Sequence, residues 1–277
     1  MFSVIIPAHN EAAVIRRGLE YLLAGARPGE LEVVVACNGC IDDTAAIARE
    51  FGPPVQVLEI PTASKIAALN AADAVATAYP RVYMDADVRL DISGVRRIAQ
   101  ALERSGALLA APKLRMDLRR TSWFVRGYYE VWTRLPYNQT MVGTGVYALS
   151  SVGRARFDRF PDLIADDGFV RFQFTPQERE MVPGTEVWVD PPQTLWGLIK
   201  IKKRSRLGQY QLRQRMPGLC AADPKPPRAL LRMLLAHPVI WSYAPAYLGV
   251  NLVTRWRARR QLRSSRRLVW ERADTPR

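Results

Sequence analysis

Two carboxylates one residue apart, Asp85 and Asp87, close the apolar run Val82-Tyr83-Met84. A parallel strand buried on both faces has no use for acids, so both should stand just past its carboxyl end, where an open α/β sheet places its ligand crevice. Carboxylates at i and i+2 leaving a strand can share a hard divalent cation, whose remaining ligands are commonly substrate phosphates. A purely local account competes, because turns after strands favour Asp for hydrogen bonding alone.

Other polar residues favour the chemical account. Pro7-Ala8-His9-Asn10-Glu11 follows the first apolar run, and Asn38-Gly39-Cys40-Ile41-Asp42-Asp43-Thr44 follows the second and opens a helix. Asp42 or Asp43 suits that helix N-terminus. Lys65 and Asn70 sit on the helical segment after the third run. Each strand end therefore delivers turn-forming polar residues to one edge of a sheet, the place for a nucleotide.

The elements that must position them are legible. Apolar, β-branched runs at residues 4–6, 33–35, 55–60 and 82–84 alternate with helical periodicity at 11–23, 44–51, 65–78 and 92–102. That alternation predicts βαβ units and a mainly parallel sheet with right-handed crossovers. A fifth run, residues 107–111, ends it. Residues 119–137 predict a helix crowded with Trp123, Phe124, Tyr128, Tyr129, Trp132 and Tyr137 among arginines. Such a stripe serves core packing, or presents an aromatic, basic face to a membrane interface or a sugar.

Charge divides the chain. Its 277 residues carry a net +14, yet residues 1–199 hold 21 Lys and Arg against 23 Asp and Glu, whereas residues 200–277 hold 19 against 3. A near-neutral body with a strongly basic C-terminal quarter implies a polyanionic surface as partner. The division predicts a catalytic domain over 1–215 and a basic, amphipathic helical region over 216–277. Within the latter, residues 233–254 carry no formal charge, and seven arginines follow between Arg255 and Arg267. The stretch is long enough to span a bilayer. Positive flanks at both ends and prolines 238 and 245 instead favour a shallow interfacial hairpin on anionic headgroups, over a span or a helix pair packed on the body. Trp196–Arg215 predicts a basic helix and Ala221–Pro227 a linker. Cys37, Cys40 and Cys220 form no paired framework, and no second Cys/His pair completes a zinc site. The N-terminal residues show no signal-peptide pattern, so the expected place is the cytoplasmic side of the cell membrane.

On these residues the chain resembles the inverting family 2 glycosyltransferases of GT-A fold, over about residues 2–210. Ser3–Glu11 resembles their opening strand and loop, Val35–Thr44 stands in the place of their Asp-rich second loop, and Asp85-Ala86-Asp87 in that of their Asp-X-Asp. Asp166-Asp167, following the segment Gly143–Tyr147, is similar to their acidic pair, and Arg204 and Arg206 before Gly208 approximate a later basic stretch. The resemblance implies a GT-A sheet of nucleotide-diphospho-sugar type. Pro7, Ala8, Asn10, Glu11, Asn38 and Lys65 would line the nucleotide sugar. Asp85 would touch the ribose or the metal, and Asp87 would ligate Mg²⁺ or Mn²⁺. Arg204 and Arg206 would offset diphosphate charge, and Asp167, beside Asp166, would be the general base. One sugar would pass from a nucleotide-diphosphate sugar to a hydroxyl acceptor, lipid-linked or membrane-proximal. The chain departs from the pattern at Cys37-Asn38, where the relatives commonly carry acids that hold the base. Lys203-Arg204-Ser205-Arg206-Leu207 only partly matches the processive Gln-X-X-Arg-Trp, so single transfer is expected.

Competing functions are a retaining sugar transferase or a nucleotidyltransferase on a similar sheet, or a non-enzymatic polyanion-binding protein. The first loop lacks the glycine-rich phosphate cradle of a nucleotidyltransferase. Basic residues alone would bind any phosphate, but nucleic acid as partner leaves the acids at one sheet edge without a purpose.

Overall fold

The computed structural model describes residues 1–135, 138, 145–220 and 228–263. Tyr137, Gly143, the Ala221–Pro227 linker, Arg266 and Arg267 lie outside the described residues.

Seven strands form one mixed sheet: β1 (Phe2–Ala8), β2 (Leu31–Asn38), β3 (Val55–Ile60), β4 (Arg81–Met84), β5 (Leu109–Met116), β6 (Val146–Leu149) and β7 (Arg179–Val189). Their order is β3-β2-β1-β4-β6-β5-β7. The predicted parallel half is present: β1 pairs in parallel with β2 and β4, and β2 with β3. Short β6 enters antiparallel between β4 and β5, and β5 pairs in parallel with β7. The parallel register brings Ala8, Asn38, Ile60 and Met84 to the same edge.

Side-chain alternation divides the core. Val4 and Ile6 of β1 join a layer with Ile15, Leu19 and Leu22 of α1 (Ile15–Leu23) and Val95 and Ile98 of α4 (Ile92–Ser105), which α2 (Thr44–Arg49) completes. Ile5 faces the opposite layer, with Leu69 and Ala72 of α3 (Lys65–Val75) and Phe169 and Val170 of a later helix. Such period-2 sorting is what a strand buried on both faces requires. Helix α1 begins four residues later than its periodicity predicts, because Glu11–Val14 form a turn in which the N–H groups of Val14 and Ile15 both donate to the Glu11 carbonyl.

Helix α5 (Trp123–Trp132) occupies the middle of the predicted segment. It is followed by α6 (Ser151–Arg154), α7 (Asp166–Phe172), α8 (Leu195–Arg215), α9 (Pro217–Cys220), α10 (Ala229–Ala236), a 3₁₀ segment at Pro238–Tyr243, and α11 (Ala244–Arg263). The uncharged stretch is thus cut at His237-Pro238, as proline's missing donor demands. Among the described residues no helix is long and apolar enough to cross a membrane. A third cluster joins Val125, Tyr128, Tyr129 and Val131 of α5 and Leu198 of α8 to Met233, Ile240, Tyr247 and Val250, so packing runs across the division drawn at residue 215.

Candidate active site

The first two strand ends are tied to each other. Asn38 is almost wholly buried, and its side-chain amide donates to the Ala8 carbonyl at 2.8 Å. The His9 ring donates through Nδ1 to the Asn38 carbonyl at 2.5 Å, a partner not visible in the sequence. Asn10 adopts a left-handed φ of 54°, a conformation Asn tolerates, and its side-chain oxygen accepts from the Ile41 N–H at 2.9 Å. The Glu11 N–H donates to the Thr44 hydroxyl at 2.7 Å. Asp42 caps locally, accepting from the N–H of Thr44 and, at 3.1 Å, from that of Ala12. Pro7 and Ala8 belong to the last turnless part of β1. The loop edge is therefore braced by its own polar groups before any ligand arrives.

At the fourth strand end, Asp85–Val88 form a turn closed by the Val88 N–H donating to the Asp85 carbonyl at 3.1 Å, and Asp87 sits inside it. The Asp85 N–H donates to the Gly145 carbonyl at 2.8 Å. Gly145 has φ +68°, and a Cβ there would lie 2.6 Å from Val88 Cγ2 and 3.3 Å from Asp85 Oδ2, so only glycine lets the backbone pass this close.

Lys65 joins the two acid groups that the sequence separates by some eighty positions. Its ammonium lies 2.7 Å from Asp85 Oδ1 and 3.1 Å from Asp166 Oδ2. The residue opens α3, just after Ser64, whose hydroxyl caps the helix by accepting from Ala67 N–H at 3.2 Å. A cation at a helix N-terminus opposes the macrodipole; the two carboxylates outweigh that cost. Burial by itself would lower the Lys65 pKa, but the charges of Asp166 and Asp85 raise it, so the group stays cationic.

Asp166 and Asp167 stand in the first turn of α7, where negative charge is favoured. Asp166 is buried and Asp167 reaches solvent. Desolvation and the neighbouring Asp166 charge raise the Asp167 pKa, against the pull of Lys65 and a 2.7 Å hydrogen bond from the Gly168 N–H. A carboxylate poised upward in this way suits proton abstraction.

Tyr147 of β6 completes the wall. Its hydroxyl is enclosed and meets no hydrogen-bond partner among the described residues. Burial raises its pKa well above the usual phenol range, with Asp166, Asp167 and Asp85 adding to the effect. The ring stacks on Tyr83 at 4.9 Å. Tyr83 in turn donates to Asp73 at 2.5 Å, and Asp73 is held by Arg81 at 2.7 Å and Arg154 at 2.6 Å. Sequence reasoning named neither Tyr83 nor Asp73 as support for the site. Their only sequence signal is an acid inside an otherwise apolar helix face.

The predicted basic pair divides. Arg204 lies exposed on α8, while Arg206 turns away from the acids, donating through Nε to the Thr254 hydroxyl at 2.9 Å and through its other arm to the Asn251 carboxamide of α11. Cys37 is buried, and burial pushes its thiol up to about 12, which leaves little thiolate for redox or metal chemistry.

The donor set fits a hard divalent ion. Asp85 already pairs with a cation, and Asp87 follows it within the same turn. No group of three or more His, Cys, Asp or Glu side chains that could hold a metal occurs among the described residues. Two carboxylates completed by substrate phosphates is the arrangement Mg²⁺-type ions commonly take.

The model of glycosyl transferase family 2 matches residues 3–156. No curated protein sequence matches the chain. Among solved structures, the chain is similar to mannosyltransferase PcManGT from Pyrobaculum calidifontis in complex with GDP-Man and Mn²⁺, at 20% identity and TM-score 0.64, covering 95% of this chain and 78% of that one. It is also similar to TarS 1-349 of S. aureus in complex with UDP-GlcNAc (15% identity, TM-score 0.56, 90% and 79% covered). A third is glucosyl-3-phosphoglycerate synthase of Mycobacterium tuberculosis in complex with Mn²⁺, UDP and glucosyl-3-phosphoglycerate (21% identity, TM-score 0.54, 78% and 79% covered). These likenesses establish the GT-A fold.

Proposed function

The chain belongs to glycosyl transferase family 2, and from that premise we propose that it moves a single sugar, with inversion, from a nucleotide-diphosphate sugar to a hydroxyl acceptor that is lipid-linked or membrane-proximal. The observation that carries this reading is the Lys65 bridge, because one ammonium gathers the strand-end acid Asp85 and the α7 acid Asp166 at one point.

Asp85 and Asp87 would hold Mg²⁺ or Mn²⁺, which when bound neutralises charge gathering on the departing diphosphate. Lys65 adds a fixed positive charge at the same edge. Asp167 takes the proton from the acceptor hydroxyl as its oxygen bonds to the anomeric carbon. The bond from that carbon to the diphosphate oxygen breaks on the opposite face, so configuration inverts. Asp166 pairs with Lys65 and stands beside Asp167, where its charge raises the Asp167 pKa and favours proton uptake. Neighbours complexed with GDP-Man and UDP-GlcNAc support a nucleotide sugar as donor, and Mn²⁺ in two neighbour complexes supports a divalent ion. The basic C-terminal quarter supports an acceptor at the inner face of the cell membrane.

The test is release of nucleoside diphosphate from a panel of nucleotide sugars with Mn²⁺ or Mg²⁺ added, together with the anomeric configuration of the product. Asp87→Asn and Asp167→Asn should each lower turnover by about 10²–10⁴-fold. Turnover within a few-fold of the parent in both variants, or retained configuration, would overturn the assignment.

A further inference from the structure

Eight of the eighteen large apolar side chains that stand exposed among the described residues fall within residues 228–263. Leu248, Leu252 and Trp256, at 52%, 71% and 57% exposure, form one row at i, i+4 and i+8 on the outside of α11. The opposite side of that helix, at Tyr247, Val250 and Thr254, is buried against the body. The 3₁₀ segment just before it exposes Val239 at 88% and Trp241. Trp123 of α5, itself half-exposed, brings its ring to 5.8 Å from Tyr243 and extends the same apolar surface onto the catalytic body. Exposed apolar side chains gathered on one helix face and its flanks mark an interaction surface.

Charge settles what covers it. Residues 228–263 contain seven arginines and no acid. On α11 they follow the apolar row: Arg255, Arg259, Arg260 and Arg263 are exposed, and the Arg260 guanidinium lies over the Trp256 ring. A second copy docked on this face would set arginine against arginine. A duplex nucleic acid would match the arginines but leave the leucines and tryptophans facing water. An anionic lipid surface satisfies both, taking apolar side chains into the acyl boundary and arginines at the headgroups.

We propose that α11, the 3₁₀ segment and the N-terminal end of α5 form a docking surface for anionic bilayers, in which the helix lies on the membrane without crossing it. This deepens the reading of a membrane-proximal acceptor, and it is measured apart from sugar transfer, so either can fail alone. The arrangement also differs from a free hairpin. Helix α11 is fixed to the body through Arg206, which holds Asn251 and Thr254, so the apolar row is presented rigidly.

The full-length protein is mixed with phosphatidylcholine vesicles, with or without about one-third phosphatidylglycerol, and sedimented across a salt series from about 0.1 M to about 0.5 M. Binding should require the anionic lipid, weaken with salt, and blue-shift tryptophan emission. Leu252→Glu and Trp256→Glu should each lower partitioning about tenfold or more, as should Arg259→Glu/Arg260→Glu, whereas Val152→Glu, an equally exposed site on α6, should not. Melting temperatures without vesicles should stay within about 4 °C of the parent in all four, showing that they fold. Equal binding to neutral vesicles, unchanged partitioning of the α11 variants, or a parent dimer that Leu252→Glu turns into a monomer would overturn the proposal. So would tighter binding to duplex DNA than to anionic vesicles with the apolar variants unaffected.

Discussion

Lys65 and Asp166 each occupy the opening turn of a helix, α3 and α7, and they meet at 3.1 Å. The acid suits that position and the cation does not, so Lys65 is kept there by what it contacts. Its charge holds down the pKa of the neighbouring Asp167, which desolvation and the Asp166 charge push up. Replacing it by Lys65→Met removes that restraint, and the Asp167 pKa climbs further. Because the proposed base would work only when deprotonated, the rising limb of kcat/KM against pH should move to higher pH, by about one unit. A pH profile of the variant checks the direction. An unmoved limb would separate Lys65 from the base.

Tyr147 yields a prediction with opposite signs. A buried hydroxyl that meets no partner among the described residues costs about 1–3 kcal/mol, and we expect substrate to supply the partner. Tyr147→Phe should therefore raise the melting temperature of the free protein while lowering kcat/KM. Thermal unfolding and steady-state kinetics on the same preparation read both.

Asp73 is structural. Burial would raise its pKa, but hydrogen bonds from Arg154, Tyr83 and Arg81 outweigh this and lower it. A depressed carboxylate pKa gives stability that is present above the unfolded value, near 3.9, and lost as pH falls toward the folded one. Asp73→Asn should cost about 3–5 kcal/mol at neutral pH by leaving Arg81 and Arg154 without a buried counter-charge. It should also flatten the acid-side loss of stability below about pH 4. Urea midpoints at neutral and acid pH test both.

Gly145→Ala combines a left-handed φ with a 2.6 Å clash at Val88. The expected loss is about 1–3 kcal/mol of stability, with weaker Mn²⁺-dependent donor binding because Asp85 hangs from the Gly145 carbonyl. Calorimetric titration with nucleotide sugar, with and without Mn²⁺, reads the second effect.

The parallel half of the sheet and its acid edge were legible because strand ends, turns and helical periods are local signals: Asp85 and Lys65 were named from their neighbours in sequence, whereas Asp166, which reads locally as a helix cap, was named through the family resemblance. What stayed hidden depends on partners far along the chain. Asp73, Arg81 and Arg154 pair across up to eighty-odd positions, and nothing near Val146–Leu149 marks that strand as antiparallel. Arg206 reads as a phosphate contact beside Arg204, yet its place on the helix turns it toward Asn251. Residues 233–254 look like a lipid segment by composition, while Tyr247 and Val250 are spent on the body.

Arg206 and Gly208 are two positions apart on α8, roughly 200° of rotation, so the helix shows opposite sides to α11 and to the start of α7. A Cβ at Gly208 would lie only 3.0 Å from Ala165, the residue before the acid pair. With helix axes packing about 8–10 Å apart, the outer row of α11 and the acids are on the order of 20 Å from each other. In the proposed orientation on a bilayer that separation would act as a ruler: an acceptor floating in a leaflet would present its hydroxyl at the correct depth only if its spacer matched, and its search for the enzyme would be confined to a plane.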